Sequence, residues 1–296
     1  MKRGLVLGFF DGVHIAHQAV IKSALDYAGE AMLITFKEAP SKYFNQKAEY
    51  IYSRQQSLQK IKSLGVSEVI ELDFAEIANM PADDYLKFIV QKYNPVSIST
   101  GYNHTFGKNK SGNPEFLNEN AKKYGYKYIC TPPQKLDGEI VSSTLIRKML
   151  REGKINEANR ALGSNFLLSG NVIKGAQLGR TIGFPTANMI YPEEIVKIPF
   201  GVYGGRITNN SLAPCGRGVR GEGETCPIIL NWGMKPTVHN TKEPVLETHI
   251  INFNGDLYGK ELEIEITSKI RDEQKFDSLE ELKKQIAKDV EECLKL

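Results

Sequence analysis

The chain has 296 residues, 41% hydrophobic and 25% charged, long enough for two ordinary domains that each bury a core, with a composition unlike that of disordered or fibrous chains. Its 38 Lys and Arg against 35 Asp and Glu leave a formal charge of +3, too small to argue for nucleic acid by electrostatics. The apolar run 4–10 ends at Asp11 and is too short for a signal segment or a membrane span, so a cytoplasmic protein with no membrane partner is expected.

From 4 to 146, short apolar runs alternate with amphipathic stretches. Strands are predicted at 5–9, 32–36, 68–72, 96–100 and 126–130, and helices at 14–27, 54–64, 83–92 and 115–124. The alternation implies a Rossmann-like α/β domain, a parallel sheet wound on both faces. The first strand runs into Gly8-Phe9-Phe10-Asp11-Gly12-Val13-His14-Ile15-Ala16-His17. His14 and His17, three apart at the opening of a helix, share a face beside free N–H groups and the positive end of the helix dipole, which suits nucleotide phosphates. Two histidines on a solvated helix face would read the same from this segment alone. Ser142, Ser143 and Thr144 place hydroxyls at a later helix start with Arg147 one turn on, a second anion clamp. The segment Gly101-Tyr102-Asn103-His104-Thr105-Phe106-Gly107 follows the fourth strand, where ligands collect in open α/β sheets.

A helical stretch over 143–162 leads to a boundary near Gly163, which divides the chain into domains 1–163 and 164–296. Beyond it, strands are predicted at 166–174, 201–208, 226–231, 246–253 and 261–267, with glycine, proline and asparagine turns and no helix between them, the pattern of a small antiparallel β-barrel. A last helix over 277–296 has a Ser278 cap and an apolar stripe of Leu279, Leu282, Ile286, Val290 and Leu294 to lay on the barrel.

After the first barrel strand comes a glycine-rich run through Gly170, Gly175, Gly179 and Gly183 that ends in Phe184-Pro185-Thr186-Ala187-Asn188. Glycines let backbone N–H groups close around an anion, and the Thr186 and Asn188 oxygens suit a hard cation, a combination fit for a Mg-bound polyphosphate. It is not a P-loop of the lysine-bearing kind, because no lysine follows the last glycine and Phe184-Pro185 opposes a helix start. Plain turns between strands are the competing reading. Cys130, Cys215, Cys226 and Cys293 lack metal-ligand spacing. Cys215 and Cys226 flank a glycine- and charge-rich loop and could pair, but reduced thiols are expected.

Taken together, G-x-F-D-G-V-H-x-x-H, G-x-N-H-x-F-G and S-S-T-x-I-R resemble the nucleotidyltransferase half of the bacterial bifunctional riboflavin kinase/FMN adenylyltransferases. The second half is similar to the kinase half of that family in the glycine-rich run, Asn231-Trp232-Gly233-Met234-Lys235-Pro236-Thr237, Glu247-Thr248-His249-Ile250, Asp256-Leu257-Tyr258-Gly259 and Arg271-Asp272-Glu273-Gln274-Lys275-Phe276. The resemblance implies phosphorylation of riboflavin to FMN and adenylylation of FMN to FAD, with ATP as co-substrate and Mg as cofactor, by a monomer or weak homo-oligomer. It makes Glu247 the base, Thr186 and Asn188 the Mg ligands, and Gly175, Gly179, Arg180 and Gly183 the cover of the nucleotide phosphates. Asn231 and Arg271 fall to substrate, with Phe276 beside them. In the first half it gives catalysis to His14, His17 and Arg147, and nucleotide or flavin-phosphate contacts to Gly8, Phe10, Asp11, Asn103, Ser142, Ser143 and Thr144.

The departures cluster in the first half. Ala16 stands where the family has glycine, Lys37-Glu38-Ala39-Pro40 replaces an acid-Pro-His-Pro run, and Lys110 replaces an arginine, with loss of a bidentate phosphate contact expected. The kinase half carries a long loop over 209–225. These differences motivate two alternatives: a riboflavin kinase with a degenerate adenylyltransferase domain, and a flavin- or nucleotide-binding regulator without turnover.

Overall fold

The computed structural model describes residues 3–174, 179, 183–207, 226–236, 242–253 and 255–295, and its contacts divide the chain into two units, Met1–Ile146 and Arg147–Leu296. The two divisions differ over 147–163, because the helix Ile155–Leu162 packs on barrel strands.

The first unit has five strands, β1 (Gly4–Leu7), β2 (Ala31–Phe36), β3 (Val66–Leu72), β4 (Ser97–Gly101) and β5 (Lys127–Thr131), all parallel in the order β3-β2-β1-β4-β5. β1 lies at the centre and its side chains feed both faces. Leu5 and Leu7 join Met32, Ile34 and Ile98 under α5 (Ala82–Tyr93) and α6 (Pro114–Tyr124), whereas Val6 joins Leu33, Val20 and Ile21 under α1 (Ile15–Ala28) and α3 (Arg54–Ser63). The helices begin and end where side chains can satisfy free backbone groups. Ser53 and Gln56 form a reciprocal capping box on α3, and Gly29 closes α1 at φ 74°. Two one-turn helices escape the periodicity, α2 (Pro40–Tyr43) and α4 (Phe74–Ile77). So does a hairpin of β6 (Lys135–Leu136) and β7 (Glu139–Ile140), turned by Asp137-Gly138 at positive φ.

The helical stretch expected over 143–162 is two helices, α7 (Ser143–Arg151) and α8 (Ile155–Leu162), because Gly153 adopts φ 73° and ends the first. The second unit is a closed barrel of β8 (Phe166–Ile173), β9 (Thr186–Met189), β10 (Gly201–Ile207), β11 (Cys226–Pro236), β12 (Lys242–Ile250) and β13 (Glu261–Arg271) in the order β10-β11-β12-β9-β8-β13. The even residues Leu230, Trp232, Leu246 and Thr248 are buried inside, and the odd ones face out.

Three expectations need correction. β9 is absent from the predicted strands, where 186–189 figures only through its candidate cation ligands. Its four residues are too few to show an alternation, and their ladder partners on β12 make them a strand. The last helix, α9 (Leu279–Cys293), lays Leu282, Ile286 and Val290 on the barrel as expected, but its end residues Leu279 and Leu294 are more than half exposed and Asp289 and Cys293 are buried beside the stripe. Asp289 is buried in a charge pair described below. Cys226, buried at the start of β11, is disulfide-bonded rather than reduced, while Cys130 and Cys293 are free. Cys215, Gly175, Arg180 and the loop 209–225 lie outside the described residues.

Candidate functional sites

The order of strands reverses beside β1, so the carboxyl ends of β1 and β4 flank the crevice where such sheets bind ligands. The turn leaving β1 is tightly folded, with Phe10, Gly12 and Val13 at φ 62°, 80° and 43°. Positive φ is costly for Phe and for β-branched Val, and is retained where the surroundings hold it. Here Asp11 is buried and its Oδ1 accepts the Ile51 N–H at 2.9 Å, while a Cβ on Gly12 would strike Ile51. Gly8 leaves room for the Phe10 ring.

The turn delivers His14 to the N-cap of α1, where its Nδ1 accepts the His17 N–H at 3.4 Å. Nδ1 is therefore the acceptor nitrogen, and the Nε2–H is the donor. The His14 and His17 rings stack at 3.6 Å, and His17 lies 5.0 Å from the Phe10 ring. Burial, and then the charge of His14, hold the His17 imidazole well below its usual pKa. Its Nδ1 is buried without a hydrogen-bond partner, so a neutral His17 stands beside His14 at a helix N-terminus. Ala16 sits in the first turn of α1 and supports the helix better than glycine would.

One segment remote in sequence reaches this turn, and a second follows the neighbouring strand β4. The Ser143 hydroxyl donates to the Asp11 carbonyl at 2.9 Å, and Ser142 Oγ accepts the Leu145 N–H at 3.2 Å. The start of α7 is thereby fixed on the β1 turn, with Thr144 exposed and Arg147 one turn further along the helix. After β4, Asn103 is exposed, whereas His104 stacks on Phe106 at 5.8 Å. Burial lowers the His104 pKa to about 4, and its Nε2 has no partner. His104 has no role of its own among the motif readings, and its place two residues before a glycine-flanked aromatic is the available signal.

In the barrel, the ladder aligns residues that the sequence scatters over sixty positions. Glu247 on β12 stands opposite Asn188 on β9 and opposite Asn231 on β11, and Thr186 stands opposite His249. Residues opposed across strands share a face, so Asn188, Glu247 and Asn231 form one row on the outer wall. That wall and α9 enclose a largely apolar cavity of about 440 Å³, lined by Asn231, Val245, Glu247, Arg271, Phe276 and Ile286 among others.

Arg271, expected at the substrate, stands at a cavity wall and in an ion pair. It lines the cavity and pairs with Asp289 of α9, Nε to Oδ1 at 3.0 Å and Nη2 to Oδ2 at 2.8 Å. Its guanidinium also lies 5.8 Å over the Phe276 ring. Asp289 is missing from the sequence reading, although an acid at helical spacing between Ile286 and Cys293 marks an apolar face that needs a cation. A second cavity of about 580 Å³ opens at the barrel end over Val172, Ala187, Thr248, Leu257 and Tyr258. Thr186 lines both cavities, so they meet at the expected cation ligand.

Thr186 and Asn188 lie two apart on β9, on the face of Glu247. Among the described residues no group of three His, Cys, Asp or Glu could hold a metal. A cation here would take two neutral protein oxygens and complete its shell with phosphate and water, the habit of Mg.

Comparison with known proteins covers both units. The family model for FAD synthetase matches residues 2–145, and that for riboflavin kinase matches 162–296. A bifunctional riboflavin kinase/FMN adenylyltransferase of Haemophilus influenzae is 33% identical over 97% of this chain and 92% of its own length. Another, from Bacillus subtilis, is 31% identical over 99% and 92%. The crystal structure of a macrolide-efflux protein from Streptococcus pneumoniae shares the fold, with a TM-score of 0.85 at 29% identity over 98% of this chain and 93% of that one. Among the described residues no helix is long and apolar enough to cross a membrane.

Proposed function

The chain belongs to the bifunctional riboflavin kinase/FMN adenylyltransferase family, and on that premise we propose how its residues divide the two reactions, with 1–163 as the adenylyltransferase domain and 164–296 as the kinase. The enzyme is a transferase that phosphorylates riboflavin to FMN and adenylylates FMN to FAD, with ATP as co-substrate. Glu247 and Asn231 on the wall of the 440 Å³ cavity, in one row with Asn188, carry the assignment of the kinase site.

In the kinase, the apolar cavity takes the flavin ring and Glu247 takes the proton of the ribityl 5'-hydroxyl as that oxygen bonds to the γ-phosphorus of ATP. The bond from that phosphorus to ADP breaks. The nucleotide occupies the second cavity, and its phosphates come to Thr186, where the two cavities meet. Mg, held by Thr186 and Asn188, would supply charge neutralisation on the phosphates. Gly179 and Gly183 lie at the return of the loop that would cover them, and Arg271 and Phe276 close the flavin side.

In the adenylyltransferase, an FMN phosphate oxygen attacks the α-phosphorus of a second ATP and pyrophosphate leaves. His14 and His17 present N–H donors, aided by the start of α1, where negative charge grows on that phosphorus. Arg147 adds a cation and Asn103 a side-chain amide. The buried Asp11, Gly8 and Phe10 shape the turn, and Ser142, Ser143 and Thr144 open α7 beside it. The reading takes the enzyme as a cytoplasmic monomer or weak homo-oligomer.

The test is a time course with riboflavin, excess ATP and Mg, the flavins being separated chromatographically. FMN followed by FAD is expected from the wild type. Glu247→Gln should lose FMN formation by roughly 10²- to 10⁴-fold yet still convert added FMN to FAD, and His14→Ala should do the reverse. FMN without FAD would establish the monofunctional kinase, and no conversion would establish a binding protein.

A further inference from the structure

We propose that His249 is a positioning residue of the kinase, which holds Thr186, and with it the cation and ATP phosphates, in place opposite Glu247. The inference rests on the kinase reading above and deepens it. His249 follows Glu247 by two residues on the same face of β12, and the ladder sets it directly opposite Thr186. Its Nδ1 lies 2.9 Å from the carbonyl oxygen of Pro185, the residue just before Thr186. A carbonyl only accepts, so Nδ1 carries the proton and donates. The ring also meets the Phe184 ring edge-on at 5.3 Å.

Three consecutive residues are thus clamped from the β12 side: Phe184 by ring contact, Pro185 by the hydrogen bond, and Thr186 by the ladder. The other side of the clamp is the returning glycine-rich segment. The Gly179 carbonyl accepts the Phe184 N–H at 2.8 Å, and a Cβ on Gly179 would collide with the Phe184 carbonyl. Gly183, at φ 88°, makes the turn that brings the chain back. Pro185 offers no N–H to the sheet, so this end of β9 lacks one ladder bond, and the His249 side chain supplies a link in its place. The strand end that carries the cation ligand is therefore held by a side chain from the strand that carries the base.

The experiment compares His249→Asn, His249→Gln and His249→Ala in the full-length enzyme. Asparagine places a nitrogen donor where Nδ1 stood, and glutamine places one where Nε2 stood. Loss of one neutral hydrogen bond should raise KM for Mg-ATP in FMN formation about tenfold in the Ala and Gln variants, with kcat reduced less than KM is raised. The Asn variant should recover most of the loss. Amide hydrogen exchange over 183–190 gives a readout independent of turnover. Without ligand, exchange should be faster in Ala and Gln than in wild type and Asn, and Mg-ADP should slow it less in the first two. Equal behaviour of Asn and Gln overturns the proposal, as does a fall in kcat at unchanged KM or an exchange pattern identical to wild type in all three. Should the Ala variant not fold, the Asn and Gln pair decides. Absence of FMN formation by the wild type would count against the kinase reading, while the exchange pattern would still judge the clamp.

Discussion

The Arg271–Asp289 pair gives the most direct test of how the kinase cavity is built. Asp289 is almost fully buried, with 3% of its side chain accessible, and Arg271 retains 19%. Nε and Nη2 engage both carboxylate oxygens at 2.8 to 3.1 Å, and Gln285 donates to Oδ1 at 2.9 Å. Removing one member of a buried pair costs about 3–5 kcal/mol, because the other charge stays buried. Arg271 keeps some access to water, the Asp272 carbonyl at 3.1 Å and the face of Phe276. For Asp289→Asn the cost should therefore fall to about 2–3 kcal/mol. With a urea m-value of about 2 kcal/mol/M, the midpoint should drop by roughly 1–1.5 M. Trp232 is the one tryptophan of the chain and is buried in the barrel, so its fluorescence reports this unit alone. The same variant should raise KM for riboflavin, since α9 and Arg271 wall the cavity, and leave adenylylation of FMN unchanged. The double variant Arg271→Met/Asp289→Leu should regain most of the stability, as apolar replacement of a buried pair is often near neutral, without regaining riboflavin affinity. A double-variant loss equal to the sum of those of Arg271→Met and Asp289→Leu, or a midpoint unmoved in Asp289→Asn, would refute the reasoning.

Acid should weaken the first unit through its depressed histidines. The His104 pKa of about 4 lies below the value of 6.5 of a free imidazole. The unfolded chain thus binds more protons between these values, and stability falls as pH drops from 6.5 toward 4, by about 2 kcal/mol at pH 5. His17 shifts the same way. Unfolding followed by ellipticity at pH 7.5 and pH 5 should show the loss, and His104→Phe should remove most of the His104 share. An equal pH dependence in that variant would contradict it. His14→Ala removes the cap and the stacked ring of α1, and should lower FAD formation by roughly 10²-fold or more with FMN formation intact in the same time course. EDTA should stop FMN formation and excess Mg should restore it, and Thr186→Val should raise the Mg concentration needed for half-maximal rate. An unchanged Mg requirement would remove Thr186 from the cation site.

Much of this protein is local in origin. The apolar runs of β1 and β2, the alternation along β13 and the capped amphipathic α1, α3 and α6 follow from periods of 2 and 3.6 residues, which are properties of neighbouring residues. The chemical residue types were legible for the same reason, since His14 and His17, or Thr186 and Asn188, lie within one turn or one pleat of each other. Tertiary structure decided what depends on closure. Four residues become β9 only because β12 and β8 pair with them on either side. Asp289 is buried beside the apolar stripe of α9 only because Arg271, eighteen positions away, comes to pair with it. Ser143 reaches Asp11 across 132 positions, and His249 reaches Pro185 across 64. No window of sequence contains both ends of such contacts, and their energy is realised only when the sheet and the barrel have brought the ends together.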